Sequence, residues 1–414
     1  MITNKKFRGI PAVLFILLAI YILIILLFAN RNLIGDEAGY AMYADNITHG
    51  FYTDKSDINI WWEPGYPVIL ALFSILHFPV ILIKLFNAVF YFTAIILFFK
   101  ITITFAEEKR ALLFAFLLGL WPPYIRQLFY ANSEPLSCMM IAIIFYYSYF
   151  LLKNKEINYK KIIALAFALA YLALTKAIFG YAIVACIIIL ILFYVFPKDK
   201  IRVKISLIAF VLAFVFCLPY LLYTYNLTGK MFFWSNRGGV NIYHSTTPFA
   251  GEYGDWFGNN IYEDNPQAMQ NHKDVLSETA NMKALDKDEK FKELGIEHFK
   301  NHPGKFVSNW FVGLGRLMFN YPFSYSLQKP DTYFFILPNM FLFSFLFISI
   351  GVLIKYRKKF PYEFSFIILF SFVYLGGISL AAAVARYTAL VYPLFFAIIL
   401  YVFSKIIKIR INKE

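Results

Sequence analysis

Apolar runs long enough to cross a bilayer recur from one end of the 414-residue chain to the other, and they restrict it to a membrane fold. A spanning helix needs about 20 mostly apolar residues, because the hydrocarbon core offers no water to satisfy backbone N–H and C=O groups. Ten runs meet or approach this need, at residues 10–29, 80–101, 111–125, 135–152, 162–175, 179–196, 205–225, 333–354, 362–380 and 387–403. Charged residues make up only 15% of the chain, against about 25% in soluble domains. The expected fold is therefore an all-α polytopic membrane protein of about ten transmembrane helices.

The net charge of +14 would suggest nucleic acid on a soluble chain. Here the cations sort by topology instead. Lys5, Lys6 and Arg8; Lys109 and Arg110; Lys153, Lys155, Lys160 and Lys161; Lys198, Lys200, Arg202 and Lys204; Lys355, Arg357, Lys358 and Lys359; and Lys405, Lys408, Arg410 and Lys413 all fall between or beside apolar runs. Such clusters stay cytoplasmic. Ten crossings put both termini and every one of these clusters on that side. The opposite side receives residues 30–65, with Asp36, Glu37, Asp45, Asp54, Asp57 and Glu63, and residues 226–330, with Glu252, Asp255, Glu263 and Asp264.

Three parts follow: residues 1–225 as a transmembrane module carrying the first outer loop, 226–331 as an outer region, and 332–414 as the closing transmembrane helices. Residues 306–319 are apolar but short and hold Arg316, so they read as an interfacial helix. Phe291, Leu294 and Phe299 are spaced for an amphipathic helix ahead of it. Gly238, Gly239, Pro248, Gly251, Gly254 and Gly258 mark irregular loop. The first run lacks a small-residue cleavage site and reads as a retained anchor.

Chemistry concentrates in the first outer segment. Asp36-Glu37 suits the start of a short helix, which would put Tyr40, Tyr43 and Ala44 on one face. A carboxylate held there over a cavity can take a proton from an attacking hydroxyl or amine. The plainer alternative is a helix-capping aspartate in a solvated loop. Trp61 and Trp62 serve as interfacial anchors, the commoner use, or as a sugar-stacking wall. Arg126, Glu134, Lys176, Arg237 and Arg386 map near outer helix ends. Singly, such cations snorkel; gathered together, they would bind a lipid carrier's phosphate.

Cys138, Cys186 and Cys217 lie within apolar runs and suggest neither a disulfide framework nor a zinc site. Among six histidines only His298 and His302 share a helical spacing, and Pro303 follows at once, so no metal site is assigned. No phosphate-binding loop or dinucleotide motif is present.

These residues together resemble the bacterial membrane glycosyltransferases of the GT-C fold, in the branch of protein O-mannosyltransferases and lipid A aminoarabinose transferases. Asp36-Glu37 followed by Tyr40, Ala44 and Gly50 resembles that family's acidic motif, and Glu63-Pro64-Gly65-Tyr66-Pro67 resembles its proline-rich segment. Ser133-Glu134-Pro135-Leu136, Leu174-Thr175-Lys176, Asn236-Arg237-Gly238-Gly239-Val240-Asn241-Ile242-Tyr243, His302-Pro303, and Arg386-Tyr387 with Tyr392-Pro393 follow in the family's order. Gly65 departs from the second proline of some relatives, and no separate soluble domain points to protein acceptors.

The resemblance implies an inverting hexosyl or pentosyl transferase. It would move a sugar from a polyprenyl-phosphate donor to a lipid, glycan or protein on the extracytoplasmic face of the inner (plasma) membrane. It also implies Asp36 as general base, Glu37 in support or on the acceptor, and Lys176, Arg237 and Arg386 on the donor phosphate. Tyr40, Glu63, Arg126 and Glu134 are further cavity candidates. No cofactor is expected, a divalent cation being the one exception left open. A transporter or flippase, or a polymerase of lipid-linked glycans, is the alternative.

Overall fold

The computed structural model describes residues 9–194, 199–256, 265–325 and 330–407, and among them there is helix and loop but no strand. Lys5, Lys6, Arg8, Lys198, Gly258, Glu263, Asp264, Lys408, Arg410, Lys413 and residues 195–196 lie outside the described residues. In chain order the helices are α1 (Phe15–Phe28), α2 (Asp36–Thr48), α3 (Gly65–Ile75), α4 (Val80–Thr102), α5 (Glu108–Gly119), α6 (Pro122–Ile125), α7 (Ser133–Asn154), α8 (Tyr159–Thr175) and α9 (Ala177–Tyr194). They continue with α10 (Lys200–Thr228), α11 (Gly238–Ser245), α12 (Pro266–Thr279), α13 (Ala284–Asn301), α14 (Pro303–Phe319), α15 (Tyr333–Lys355), α16 (Ser365–Ala381), α17 (Ala385–Thr388) and α18 (Tyr392–Lys405).

Within the described residues each of the ten predicted runs is mostly helical. Six spans are long and apolar enough to cross a membrane: Val80–Thr102, Ser133–Asn154, Lys200–Thr228, Tyr333–Lys355, Tyr362–Ala381 and Ala385–Lys405. Glu108–Gly119 with Pro122–Phe129, bent by 54°, makes a seventh if the pair is one span. The chain is thus a multi-pass membrane protein. The other three predicted crossings are shorter, at Ala12–Phe28, α8 and Ala177–Phe193.

The loops sort into two groups. Lys155 Nζ meets Asp199 at 2.9 Å, and Arg202 Nε donates to the Leu152 carbonyl. Phe105 packs edge-on against Phe364 and Tyr401, and Tyr401 donates to the Lys359 carbonyl. The described loops bearing the basic clusters therefore gather at one end. At the other end Ile60 and Asn236 exchange hydrogen bonds, and Asp57 accepts from the Ala284 N–H at 2.8 Å. The two acid-rich segments thus share an end, as the charge pattern required.

Between the ends the core is mostly aromatic and aliphatic, with Phe210 stacked on Phe366 at 4.5 Å and Phe179 on Tyr374 at 4.2 Å. Asn339, fully buried in α15, satisfies its amide by bonding Met318 O, Tyr392 Oη and the Trp121 indole. Inside a membrane bundle such polar groups need partners, and here one amide ties four segments together.

The outer region differs from its expected form at one element. Gly238–Ser245 is a helix rather than loop, because Asp288 Oδ1 caps it by accepting from Gly239 N at 2.7 Å. Residues 306–319 lie within α14, whose Arg316 is buried in protein, donating to the carbonyls of Ala383, Pro322 and Tyr253. The amphipathic helix is present as α13. Phe291 and Leu294 pack on Val240 and Tyr243 of α11, while Phe299 is exposed and touches Phe306.

Candidate active site

A cleft of about 390 Å³ opens at the acid-rich end. Four separate segments wall it: α2, the residues before α3, the junction of α8 with α9, and the stretch from α16 into α17, with Arg237 and α11 closing the side. Asp36, Tyr40, Glu63, Lys176, Arg237 and Arg386 all line it. Sequence reasoning named these six, and the fold brings them together.

Local chemistry explains each placement. Gly35 turns the chain with φ +57°, in the left-handed region that glycine enters most easily. Asp36 is then the first residue of α2 and makes no cap bond; its Oδ2 takes Arg386 Nη1 at 2.9 Å. The capping alternative is therefore replaced by an ion pair across the cleft. One turn on, Gly39 allows the Trp62 indole to lie against the helix, where a Cβ would collide with it. Tyr40 stacks on that indole at 4.4 Å and hydrogen-bonds Ser133 Oγ at 2.9 Å. Trp61 and Trp62, for which anchoring was the commoner reading, line the cleft.

Three cations are held in place by carboxylates. Lys176 sits in extended backbone between α8 and α9, and its Nζ reaches Glu134 Oε1 at 3.0 Å and the Tyr387 ring at 5.1 Å. Arg386 Nε lies 3.5 Å from the same Glu134 oxygen. Glu134 is 2% exposed and lies behind the wall rather than in the cleft. Arg237 Nη2 bonds Glu63 Oε1 at 2.5 Å and stacks over Trp62 at 4.9 Å. Glu63 Oε1 also accepts from the Ala177 N–H at 3.1 Å, one of the donors that a helix start leaves unpaired. The attraction of Glu63 holds the Arg237 guanidinium above its ordinary pKa against the opposing effect of burial.

Besides Glu134, two further candidates lie outside the cleft. Glu37 does not line the cleft: it is fully buried and bonds Lys84 Nζ at 2.9 Å, the Ala131 N–H and the Ile34 N–H. Successive helix residues point about 100° apart, so the residue after a cleft-facing Asp36 faces α4. Arg126 lies over the Phe335 ring at 5.0 Å and is also absent from the cleft.

Sequence reasoning missed Lys84, Tyr181 and Trp256. Lys84 in the first turns of an apolar helix was the available signal for a buried pair; nothing local marks Tyr181 or Trp256. Together Tyr40, Trp61, Trp62, Tyr181, Trp256 and Tyr387 give the cleft an aromatic lining. Among the described residues no group of three or more His, Cys, Asp or Glu side chains converges as a metal ion would need.

The arrangement suits a polar, anionic substrate with a planar or ring-shaped apolar face. It offers preorganised positive charge, a partly exposed carboxylate with Oδ2 engaged, and aromatic walls.

No protein-family model matches the sequence, and no curated protein does. In structure the chain is similar to the archaeal oligosaccharyltransferase AglB from Archaeoglobus fulgidus, solved with an inhibitory peptide and a dolichol-phosphate, at 13% identity and a TM-score of 0.49. That match covers 94% of this chain and 50% of the AglB chain, so this protein spans about half its length. It is also similar to ArnT from Cupriavidus metallidurans bound to undecaprenyl phosphate, at 11% identity, a TM-score of 0.43, and coverage of 91% of this chain and 77% of that one. Both are GT-C-fold membrane glycosyltransferases, the class that the sequence motifs resemble. At this level of likeness the chemistry of the cleft has to be read from its own residues.

Proposed function

We propose that this protein is an inverting glycosyltransferase. It moves a sugar from a polyprenyl-phosphate donor to an acceptor on the extracytoplasmic side of the inner (plasma) membrane, with ten crossings and both termini cytoplasmic. The single observation that carries the reading is the convergence of Asp36 with Lys176, Arg237 and Arg386 on one cleft at the acid-rich end of an apolar bundle. Isolated snorkelling cations would not converge on a carboxylate.

In the proposed step Asp36 removes the proton from an acceptor hydroxyl or amine as that group forms its bond to the anomeric carbon. The carbon–oxygen bond to phosphate breaks on the opposite face, and the electron pair leaves with the phosphate. Lys176, Arg237 and Arg386 stabilise the charge that develops there, already oriented by Glu134, Glu63 and Asp36. One displacement inverts the anomeric configuration. The acceptor's chemistry is left general: a lipid, a glycan or a protein.

The test is genetic and chemical. A strain lacking the chain is complemented with wild type or Asp36→Asn, and its surface glycolipids and glycans are compared by mass spectrometry. The reading expects one sugar to vanish in the deletion and return only with wild type. A general base contributes roughly 10²–10⁴-fold in rate, so the variant should be near-silent although it inserts normally. Full restoration by Asp36→Asn would remove the assigned base.

A further inference from the structure

Glu63 holds an unused acceptor. Its side chain is 1% exposed and lines the cleft, and both of its hydrogen bonds, from Arg237 Nη2 and the Ala177 N–H, end on Oε1. Oε2 is buried and has no hydrogen-bond partner. Such a group is costly, because a carboxylate oxygen taken out of water loses its hydration without compensation. Tyr43 and Tyr52 of the neighbouring cluster already spend their hydroxyls on the carbonyls of Asn59 and Trp62.

The other half of the observation is Arg237. Among the described residues Arg237 makes one hydrogen bond, through Nη2, and the guanidinium plane is fixed over Trp62. Nε–H and Nη1–H are donors with no such partner. An acceptor, Oε2, and a set of donors therefore sit side by side, held rigid by the bond between the two side chains. A ligand that satisfies both must present an anionic oxygen and, next to it, an O–H or N–H. In a sugar joined to phosphate through its anomeric carbon, the substituent on the adjacent ring carbon is the donor nearest the phosphoryl group.

We propose that Glu63 Oε2 reads this substituent, the hydroxyl or amide N–H on the ring carbon next to the anomeric carbon of the donor, while Arg237 holds the phosphoryl oxygen beside it. The proposal rests on the glycosyltransferase reading and deepens it. Glu63 becomes the specificity residue for the sugar. Hydrogen bonds at that position strengthen as positive charge develops on the ring in the transition state, so the contact acts on turnover as well as on binding.

Glu63→Gln tests the assignment cleanly. Arg237 and the Ala177 N–H both need an oxygen at the Oε1 position, so the amide nitrogen is forced into the Oε2 position, where it donates instead of accepting. The purified full-length protein is given a panel of prenyl-phosphate hexoses and pentoses with a membrane extract as acceptor source, and release of free prenyl phosphate is measured. The best donor is then compared with its 2-deoxy form. Wild type should exceed Glu63→Gln in kcat/KM by about 10-fold or more on the parent donor, as a hydrogen bond to a charged group predicts. On the 2-deoxy donor the ratio should fall to within about 3-fold, since a double-mutant cycle cancels the intrinsic reactivity of each sugar.

Prenyl phosphate without sugar should bind both proteins alike. An equal ratio on the two donors would overturn the proposal, leaving Glu63 as a holder of Arg237 only. No loss on either donor would also overturn it, with Oε2 facing an ordered water. Wild type alone supplies a second arm if the variant does not fold: equal kcat/KM for parent and 2-deoxy donors, after correction for their rates in solution, rejects the contact. Failure of the whole panel with wild type sinks the glycosyltransferase reading itself, and the inference goes with it.

Discussion

Asp36 and Glu37 are neighbours with the same chemistry and opposite fates. The Asp36 side chain is 34% exposed at the cleft, whereas that of Glu37 is 0% exposed and paired with an equally buried Lys84. The acid pair was legible in the sequence. Its division of labour was not, because it depends on which helix α2 packs against. Glu37 and Lys84 also bond the backbone at Ala131, Ile34 and Asn30, so the pair pins the start of α2 to α4 and to the segment before α7. Removing one partner of a buried ion pair leaves a bare charge and costs roughly 3–5 kcal/mol, while replacing both with apolar groups is often neutral. Glu37→Gln should therefore unfold far more readily in a detergent titration. Glu37→Leu with Lys84→Met should recover most of the loss. A Glu37→Gln protein as stable as wild type yet devoid of transfer would return Glu37 to the chemistry.

Among the elements, α11 and the helices around it carry a polar cluster that the cleft does not use. Glu252 accepts from Asn271 at 2.8 Å and Tyr325 at 2.9 Å, and lies 3.1 Å from His272 Nε2, whose other nitrogen meets Tyr243 Oη at 2.6 Å. Burial would raise the Glu252 carboxyl, but hydrogen bonds from His272, Thr247 and Asn271 bring it down to about 2. Burial, with His272 adding, lowers His244 from 6.5 to about 3.

Both shifts act in one direction. Below 6.5 an unfolded His244 takes a proton that the folded one refuses, so stability is full above that value and falls as pH drops toward 3. Glu252 keeps its charge when folded and loses it below about 4.5 when unfolded, adding a further loss between there and about 2. At about 1.4 kcal/mol per pH unit, His244 alone weakens the region by about 2 kcal/mol between pH 6.5 and 5. Amide exchange across residues 238–256 and 265–301 should accelerate over that interval ahead of the bundle, and His244→Gln should flatten the response. Unchanged protection at pH 5 would show that the cluster does not govern the region.

Across the whole molecule, hydropathy and charge revealed the helices and the two ends, because both follow from local composition. The cleft was legible only as separate candidates. Its closing contacts join Asp36 to Arg386 and Glu63 to Arg237, 350 and 174 residues apart, and no local pattern encodes such distances. Trp256 and Tyr181 were invisible for the same reason. Three of the ten runs form helices shorter than the spanning length, so the number of crossings rests on where the loops emerge.

The contacts already constrain that answer: Asp57 meets Ala284, and Lys155 meets Asp199 at the far end. Each pair must share a side whatever the count. Single cysteines can report it without removing the native ones, since Cys138, Cys186 and Cys217 are all buried. Ser56→Cys and Ser277→Cys, both exposed, should react with an impermeant maleimide added to intact cells or spheroplasts. Exposed Lys160→Cys and Lys358→Cys should react only after permeabilisation. Labelling of Ser56→Cys and Lys160→Cys from the same side would break the ten-crossing arrangement, because an odd number of passages would then be missing between them.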